Sequence, residues 1–509
     1  MVPNSKFHQV PRTLYDILLT QNSFAYMSDT VHFKVIIVGA GLSGIGAAYH
    51  LQDKCPDHDF TILEARESMG GTWDLFRYPG IRSDSDMYTL GYSFSPWKDP
   101  KAIADGPSIL AYIKSTAEAF DIDKKIRYDH RVSTADWNSD EKNWRITART
   151  ANGTKEVSYT CNFLFICSGY YRYDQGYLPD FPGVNQYQGQ LIHPQQWPED
   201  LDYCDKDVVV IGSGATAVTL VPELAKQAKS VTMLQRTPTY IMNLPSEDWV
   251  ANQLKKFLPK SWAHTLARWK NITVGLLFYQ VSQRWPNTIK RFLQKAARKE
   301  LGPDIAIEHF DPPYGPWDQR LCLVPDGDLF HSLREGKAQI ITDQIKTFTP
   351  EGLELQSGTQ LKADLVVAAT GLKIQILGGI QYKVGGEAQD LAKLHAYRGV
   401  MLSDLPNLGL AIGYTNASWT LKCDLNCQYI CRLLNYMKEH NYQVCTPRFD
   451  ASTYDSEPLL DLSAGYVQRA LNDLPKQGSG GPWKVHQNYF KDLVSLRFGD
   501  LADEALQYE

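Results

Sequence analysis

Two glycine turns, each followed by a charged residue of opposite sign, carry the first chemical signal in this sequence. In FKVIIVGAGLSGIGAAYHL the apolar run Val35 to Val38 turns at Gly39, Gly41 and Gly44 into a helical pattern. That spacing permits a tight turn, close backbone approach to a pyrophosphate, and helix N–H groups facing the anion. Twenty residues past Gly44, FTILEA brings in Glu64, whose carboxylate suits a ribose 2'-hydroxyl and repels a 2'-phosphate. An adenosine without a 2'-phosphate, as in FAD or NAD, is expected there. VVVIGSGATAV repeats the pattern with Gly212, Gly214 and Ala217, and the strand after it leads to Arg236 and Thr237. A guanidinium fork matches a phosphate, so the second site is expected to prefer NADPH to NADH.

The elements around these turns are duplicated as well. After the first, NWRITARTANGTKEVSYT alternates around Asn152-Gly153 and leads into the apolar strand FLFICSG. After the second, IITDQIKTFTPEGLELQSG leads into LVVAATG, ending at Gly371. Each copy predicts a Rossmann-like sheet with an inserted β-meander, so the expected class is α/β with two dinucleotide-binding domains. Two such sites in one chain imply electron transfer from one cofactor to the other, with FAD in the first and NADPH in the second.

A chain of 509 residues is expected to form two or three domains. Net charge of -5 gives no field for nucleic acid, so that partner is disfavoured. Nine scattered cysteines predict reduced thiols in a cytoplasm rather than a disulfide framework. Cys423, Cys427 and Cys431 recur every four residues, a helix face read as core packing rather than a metal site. There is no secretory leader pattern and no apolar run of about 18 residues. Residues 1–30, of which the first 26 precede a second plausible start at Met27, are read as an N-terminal extension.

Flavin disulfide reductases of this architecture need a cysteine pair near the flavin, and none follows the first glycine turn. A flavin-binding sensor would leave Arg236 unexplained. The stretch YQGQLIHPQQWP discriminates further. It matches the F-x-G-x-x-x-H-x-x-x-W-P fingerprint of type I Baeyer-Villiger monooxygenases, with Tyr187 in place of the phenylalanine and Gly189, His193, Trp197 and Pro198 present. Related N- and S-oxygenases usually carry Tyr or Phe at the position of Trp197. The resemblance runs over nearly all of residues 31–500 and includes GGTWDLFRYPGIRSDSDMYTLGYSF, DPPYGPWDQRLCLVPDGDLF and GYTNASWTLKCDL. In these stretches it looks most like the subgroup of the ethionamide-activating monooxygenase.

Carried onto this chain, the resemblance implies that Gly39, Gly41, Gly44, Glu64, Gly71, Thr72, Trp73 and Asp84 lie along FAD. Gly212, Ser213, Gly214, Thr216, Arg236 and Thr237 would lie along NADPH. The family's catalytic arginine falls on Arg320, and the carboxylate that orients it falls on Asp84. Many members carry Lys before that arginine, to support the 2'-phosphate; this chain has Gln319. The implied reaction is oxygen insertion from O2 into ketones, giving esters or lactones by way of a C4a-peroxyflavin, with sulfides or thioamides oxidised at sulfur. An N- or S-oxygenase without Baeyer-Villiger activity is the alternative.

The expected boundaries are residues 31–175 and 372–509 for the FAD-binding domain and 176–371 for the NADPH-binding domain. A helical insertion is expected at about 245–305. The fingerprint stretch would be the hinge between the domains, anchored by His193 and Trp197. Residues 251–300 hold eleven Lys or Arg against one acidic residue, Glu300, interleaved with aromatics. The family implies a helical insertion there; a basic amphipathic surface in peripheral contact with lipid is the sharper alternative.

Overall fold

The computed structural model describes residues 30–319, 321–460 and 463–509. The expected N-terminal extension, apart from residue 30, and Arg320 lie outside the described residues. The first glycine turn sits as expected, between β1 (Val31–Val38) and α1 (Leu42–Lys54). Strand β2 (Phe60–Leu63) pairs parallel with β1, and all its side chains are buried. A short helix, α2 (Met87–Leu90), follows the loop that carries Asp84. The meander is β3 (Arg131–Asn138), β4 (Asn143–Thr150) and β5 (Lys155–Ile166). The sequence suggested a hairpin strand and then a separate closing strand. In the fold they are one continuous β5, in which residues 155–161 pair antiparallel with β4 and residues 159–166 pair parallel with β1. The meander is thereby part of the main sheet.

The second copy starts from an edge strand. Residues of the fingerprint form β6 (Gln190–Ile192), which precedes β7 (Asp207–Ile211), α3 (Ala215–Leu224) and β8 (Ser230–Gln235). Three helices interrupt this copy: α4 (Trp249–Phe257), α5 (Lys260–Arg284) and α6 (Pro286–Leu301). The sheet is completed by β9 (Ala338–Thr342) and β10 (Leu365–Ala368), giving the order β9-β8-β7-β10-β6 with every pair parallel. Its meander, residues 345–362, forms a separate three-stranded antiparallel sheet.

The chain then returns to the first sheet. Strand β11 (Leu408–Leu410) pairs parallel with β5, and α7 (Trp419–Glu439) packs on α1. Among the described residues no cysteine is in a disulfide. Cys423, Cys427 and Cys431 are buried in the core against α1, where the Ser43 hydroxyl donates to the Cys423 sulfur at 3.3 Å. The last helix, α8 (Tyr489–Phe498), buries Asp492 beside Lys422 of α7, with 2.6 Å between carboxylate and ammonium. The Tyr414 hydroxyl donates to the same carboxylate oxygen, so the charge is buried with two partners rather than alone.

Two crossings join the sheets, and they run side by side. Tyr170, Arg172 and Tyr177 of the outgoing crossing bond to Gln375, Lys373 and Gly371 of the returning one, with N to O distances of 2.9 to 3.0 Å. An isolated antiparallel bridge pairs Tyr171 with Ile374 in the same ribbon.

Candidate active site

Both glycine turns present bare backbone. Gly39 has φ of +103° and a Cβ there would lie 2.7 Å from the Cys167 carbonyl oxygen, so only glycine serves. Gly41 and Gly71 face each other; a Cβ on Gly71 would lie 3.1 Å from the Gly41 Cα. α1 and α3 begin at Gly41 and Gly214, and neither N-terminus is capped by a side chain. Their first N–H groups therefore lack the usual side-chain acceptor, which suits an anion. A Cβ on Gly214 would meet nothing within 4 Å, so its bare backbone leaves open space where a ligand could approach. Gly212 has φ of +136° and a Cβ there would strike the Ala369 carbonyl oxygen at 2.4 Å.

A cavity of about 340 Å³ runs from the first turn to the second copy. It is lined by Gly39, Gly41, Glu64, Gly71, Thr72 and Trp73, and also by Asp84 and Thr216. Glu64 is buried; its carboxylate accepts from the Ala40 amide at 2.7 Å and the Arg66 amide at 2.9 Å. Burial pushes this carboxyl above its usual range, and the two amides work against that by favouring the charged form. Each oxygen keeps a lone pair for a ribose hydroxyl. Gly44 lies inside α1, where it packs against Gly39 rather than facing the cavity.

Asp84 also lines a second cavity, of about 590 Å³, so the two spaces meet at its loop. The larger one is mainly apolar, walled by Met242, Leu244, Ile272, Phe278, Trp317 and Leu321. Arg320, outside the described residues, is bracketed along the chain by two of these, Trp317 and Leu321. Trp317 has φ of +73°, a rare conformation for a bulky residue, and stacks edge-on against Tyr279 at 5.6 Å. The loop of Asp84 is held by its neighbours: the Ser83 hydroxyl donates to the Ser85 carbonyl at 2.7 Å, and Arg82 pairs with Asp328 at 2.5 Å.

At the second turn, the Ser213 hydroxyl donates to the Thr237 carbonyl at 2.9 Å. Arg236 stands exposed just past the end of β8, with no protein hydrogen bond or ion pair among the described residues. Its five donors are thus unspent.

The fingerprint residues each take a structural partner. Tyr187 donates to the Ala363 carbonyl at 3.0 Å and packs on Phe348. Gly189 lies where a Cβ would strike the Asp364 carbonyl oxygen at 2.7 Å. Trp197 packs into the core of the second sheet. His193 joins the two crossings: its Nε2 donates to the Gly371 carbonyl at 3.0 Å, and its Nδ1 accepts from the Gln195 amide at 3.2 Å. Those roles fit the neutral ring, and burial lowers the His193 pKa below its ordinary value. Stability tied to this neutral ring is full above about pH 6.5 and falls as pH drops through that value.

Several lining residues escaped the sequence reasoning. Trp419 stacks on Tyr170 at 4.8 Å, donates its indole N–H to Ser43 at 2.9 Å, and closes one side of the first cavity. The signal for it was present, since it lies within GYTNASWTLKCDL. Tyr170 and Tyr173 carry no motif of their own.

Residues 32–272 match the family described as Flavin-binding monooxygenase-like. The chain is 51% identical to the FAD-containing monooxygenase EthA of Mycobacterium tuberculosis (strain ATCC 25618 / H37Rv), over 94% of this chain and 98% of that protein. It is 49% identical to the probable FAD-binding monooxygenase AlmA of Acinetobacter baylyi, over 94% and 96%. Among solved structures it resembles an oxidised steroid monooxygenase bound to NADP, with a TM-score of 0.73, 19% identity, and coverage of 94% and 99%. OTEMO in complex with FAD and NADP gives a TM-score of 0.70 at 20% identity, over 94% and 100%. These two share the fold. On the identity and coverage of its sequence relatives, the chain belongs to the FAD-containing monooxygenases.

Proposed function

We propose that the protein is an NADPH-dependent Baeyer-Villiger monooxygenase that inserts one oxygen atom of O2 into ketones and also oxidises sulfides or thioamides at sulfur. The observation that carries this reading is the continuity of the two cavities at Asp84, which brings the first glycine turn, Thr216 of the second and a mainly apolar chamber together. The resident groups would be FAD on residues 31–175 with 372–509, and NADPH on residues 176–371. When bound, they supply hydride transfer and oxygen activation. The chain's part is binding, orientation and charge.

Gly39, Gly41, Gly71 and Thr72 would hold the flavin nucleotide, with Glu64 on its ribose. Gly212, Ser213, Gly214 and Thr216 would hold the nicotinamide dinucleotide, with Arg236 and Thr237 at the 2'-phosphate. Asp84 would orient Arg320, and that guanidinium would face the oxygen of the attacked carbonyl, where negative charge develops. Apolar walls exclude water and strengthen the interaction. Cysteines that form no disulfide among the described residues fit a reducing compartment such as the cytoplasm.

The test is incubation with NADPH, labelled dioxygen, a linear ketone and an aryl thioether. Ester carrying one labelled oxygen, beside sulfoxide, is the expected outcome. Sulfoxide alone assigns a heteroatom oxygenase instead, and hydrogen peroxide alone assigns an oxidase.

His193→Ala tests the hinge. The variant should keep its flavin but form roughly five- to tenfold less product per NADPH consumed, in line with one lost buried hydrogen bond. Flavin loss with normal product yield would show that His193 serves the first sheet rather than the crossing.

A further inference from the structure

Helix α5 is inverted relative to an ordinary amphipathic helix. Its inward face carries Ala263, His264, Ala267 and Arg268, while Trp262, Leu266, Trp269 and Leu277 face out on one stripe. The inward polar groups have work to do. Arg268 donates to the carbonyl oxygens of Tyr88 and Gly91 at 2.7 and 2.9 Å, tying α5 to the end of α2. Lys270 and Asn271 bind Asp248, and Asn271 also binds Asp86, the N-cap of α2. The outward residues have no such account: Trp262 is 67% exposed, although water is the costly environment for an indole.

A second stripe continues the first. Phe490, Val494 and Phe498 of α8 recur every four residues and are exposed, Phe498 at 72%. Trp269 stacks on Phe490 with ring centroids 6.0 Å apart, which joins the two helices into one apolar face. Phe257, at the end of α4 just before α5, is also 81% exposed. Exposed Lys256 and Lys260 lie beside Phe257, and exposed Lys491 and Arg497 lie on α8. A protein of net charge -5 has thus gathered cations where its apolar side chains are exposed. Indole and phenyl rings rimmed by lysine and arginine match an anionic lipid headgroup layer, with rings at the acyl boundary and cations at the phosphates. No helix among the described residues is long and apolar enough to cross a membrane.

The larger cavity opens beside this face. Trp249, Val250 and Val274 line it and are themselves exposed, Val274 lying on α5 between the stripe residues Trp269 and Leu277. We propose that the apolar faces of α5 and α8 dock on an anionic bilayer, and that the chamber takes its substrate, a lipophilic long-chain ketone or sulfide, from that lipid. The substrate clause rests on the oxygenase reading above; the docking clause does not.

The test uses full-length holoenzyme and a Trp262→Glu/Phe498→Glu variant, with vesicles of phosphatidylcholine alone or mixed with phosphatidylglycerol. The parent should sediment with the anionic vesicles, less so at high salt. The variant should bind them at least roughly tenfold more weakly, given two large apolar side chains replaced by charge. Turnover of a short water-soluble sulfide should be equal in both proteins, while turnover of a long-chain ketone held in the vesicles should fall in the variant. Parent protein that binds no vesicle at either salt, or a variant that binds like the parent, overturns docking. So does a concentration-dependent dimer that the double substitution dissociates, or vesicle binding that emerges only when residues 1–26 are deleted. Vesicle binding with equal long-chain turnover in both proteins overturns the substrate clause. Sedimentation is read without turnover, so it fails or holds independently of the labelled-oxygen products.

Discussion

We expect Arg320→Ala protein to keep its flavin and lose oxygenated product by about a hundred- to a thousandfold, the usual effect of removing one preorganised donor from a developing oxyanion. The residues proposed to hold the flavin, Gly39, Gly41, Gly71 and Glu64, all lie at a distance along the chain from Arg320, so flavin absorbance should be unchanged. Trp317 and Leu321 both wall the apolar chamber, and the loop of Asp84 opens into it. A guanidinium in that chamber, as proposed, would act in a low dielectric, where its charge is felt far more strongly than in water. Arg320→Lys keeps the charge but not the planar fork, so it should recover part of the loss. With Asp84 in the proposed orienting role, Asp84→Ala should cost less than removal of the guanidinium. Ester formed by Arg320→Ala at the parental rate would remove Arg320 from the reaction.

The second large effect is on cofactor choice. Arg236→Ala should lower the ratio of NADPH to NADH efficiency about ten- to a hundredfold, as expected for one charge-assisted hydrogen-bonding group. Arg236 is exposed past the end of β8 and spends none of its donors on the described protein, so its removal should leave thermal stability nearly unchanged. Gln319 stands where many members of the resembled family carry Lys, so on the proposed reading the preference rests more heavily on Arg236. Gln319→Lys should accordingly raise the ratio. An Arg236→Ala ratio equal to the parent's would mean that the phosphate is read elsewhere.

The glycine turns were legible in the sequence because strand, turn and helix are consecutive there, and the requirement for glycine is local. Gly39 and Gly212 take positive φ and meet a neighbouring carbonyl, as a tight turn demands. The pairing of the two crossings was not legible, because Tyr170 meets Gln375 across the whole second sheet. The same distance hid β11, a short strand whose place beside β5 is fixed by tertiary packing. At residues 251–300 the composition was informative, but which helix face is buried was not legible. A helical stripe of large apolar side chains normally marks the buried face, yet in α5 Arg268 faces in and Trp262 faces out. Nothing local distinguishes those choices; the carbonyls at the end of α2 decide them.

The paired crossings also bear on how the chain folds. Strand β11 can join β5 only after the ends of a segment of roughly 240 residues have met, a closure costing about 5 kcal/mol if that segment is still a coil. When the second sheet is already formed, its two ends emerge hydrogen-bonded to each other at Tyr170 and Gln375, and what remains to close is a segment of roughly forty residues, about 1.5 kcal/mol cheaper. Refolding should therefore be sequential, with β6 to β10 assembling first. The His193 contact to Gly371 would then form before the last strands of the first sheet dock.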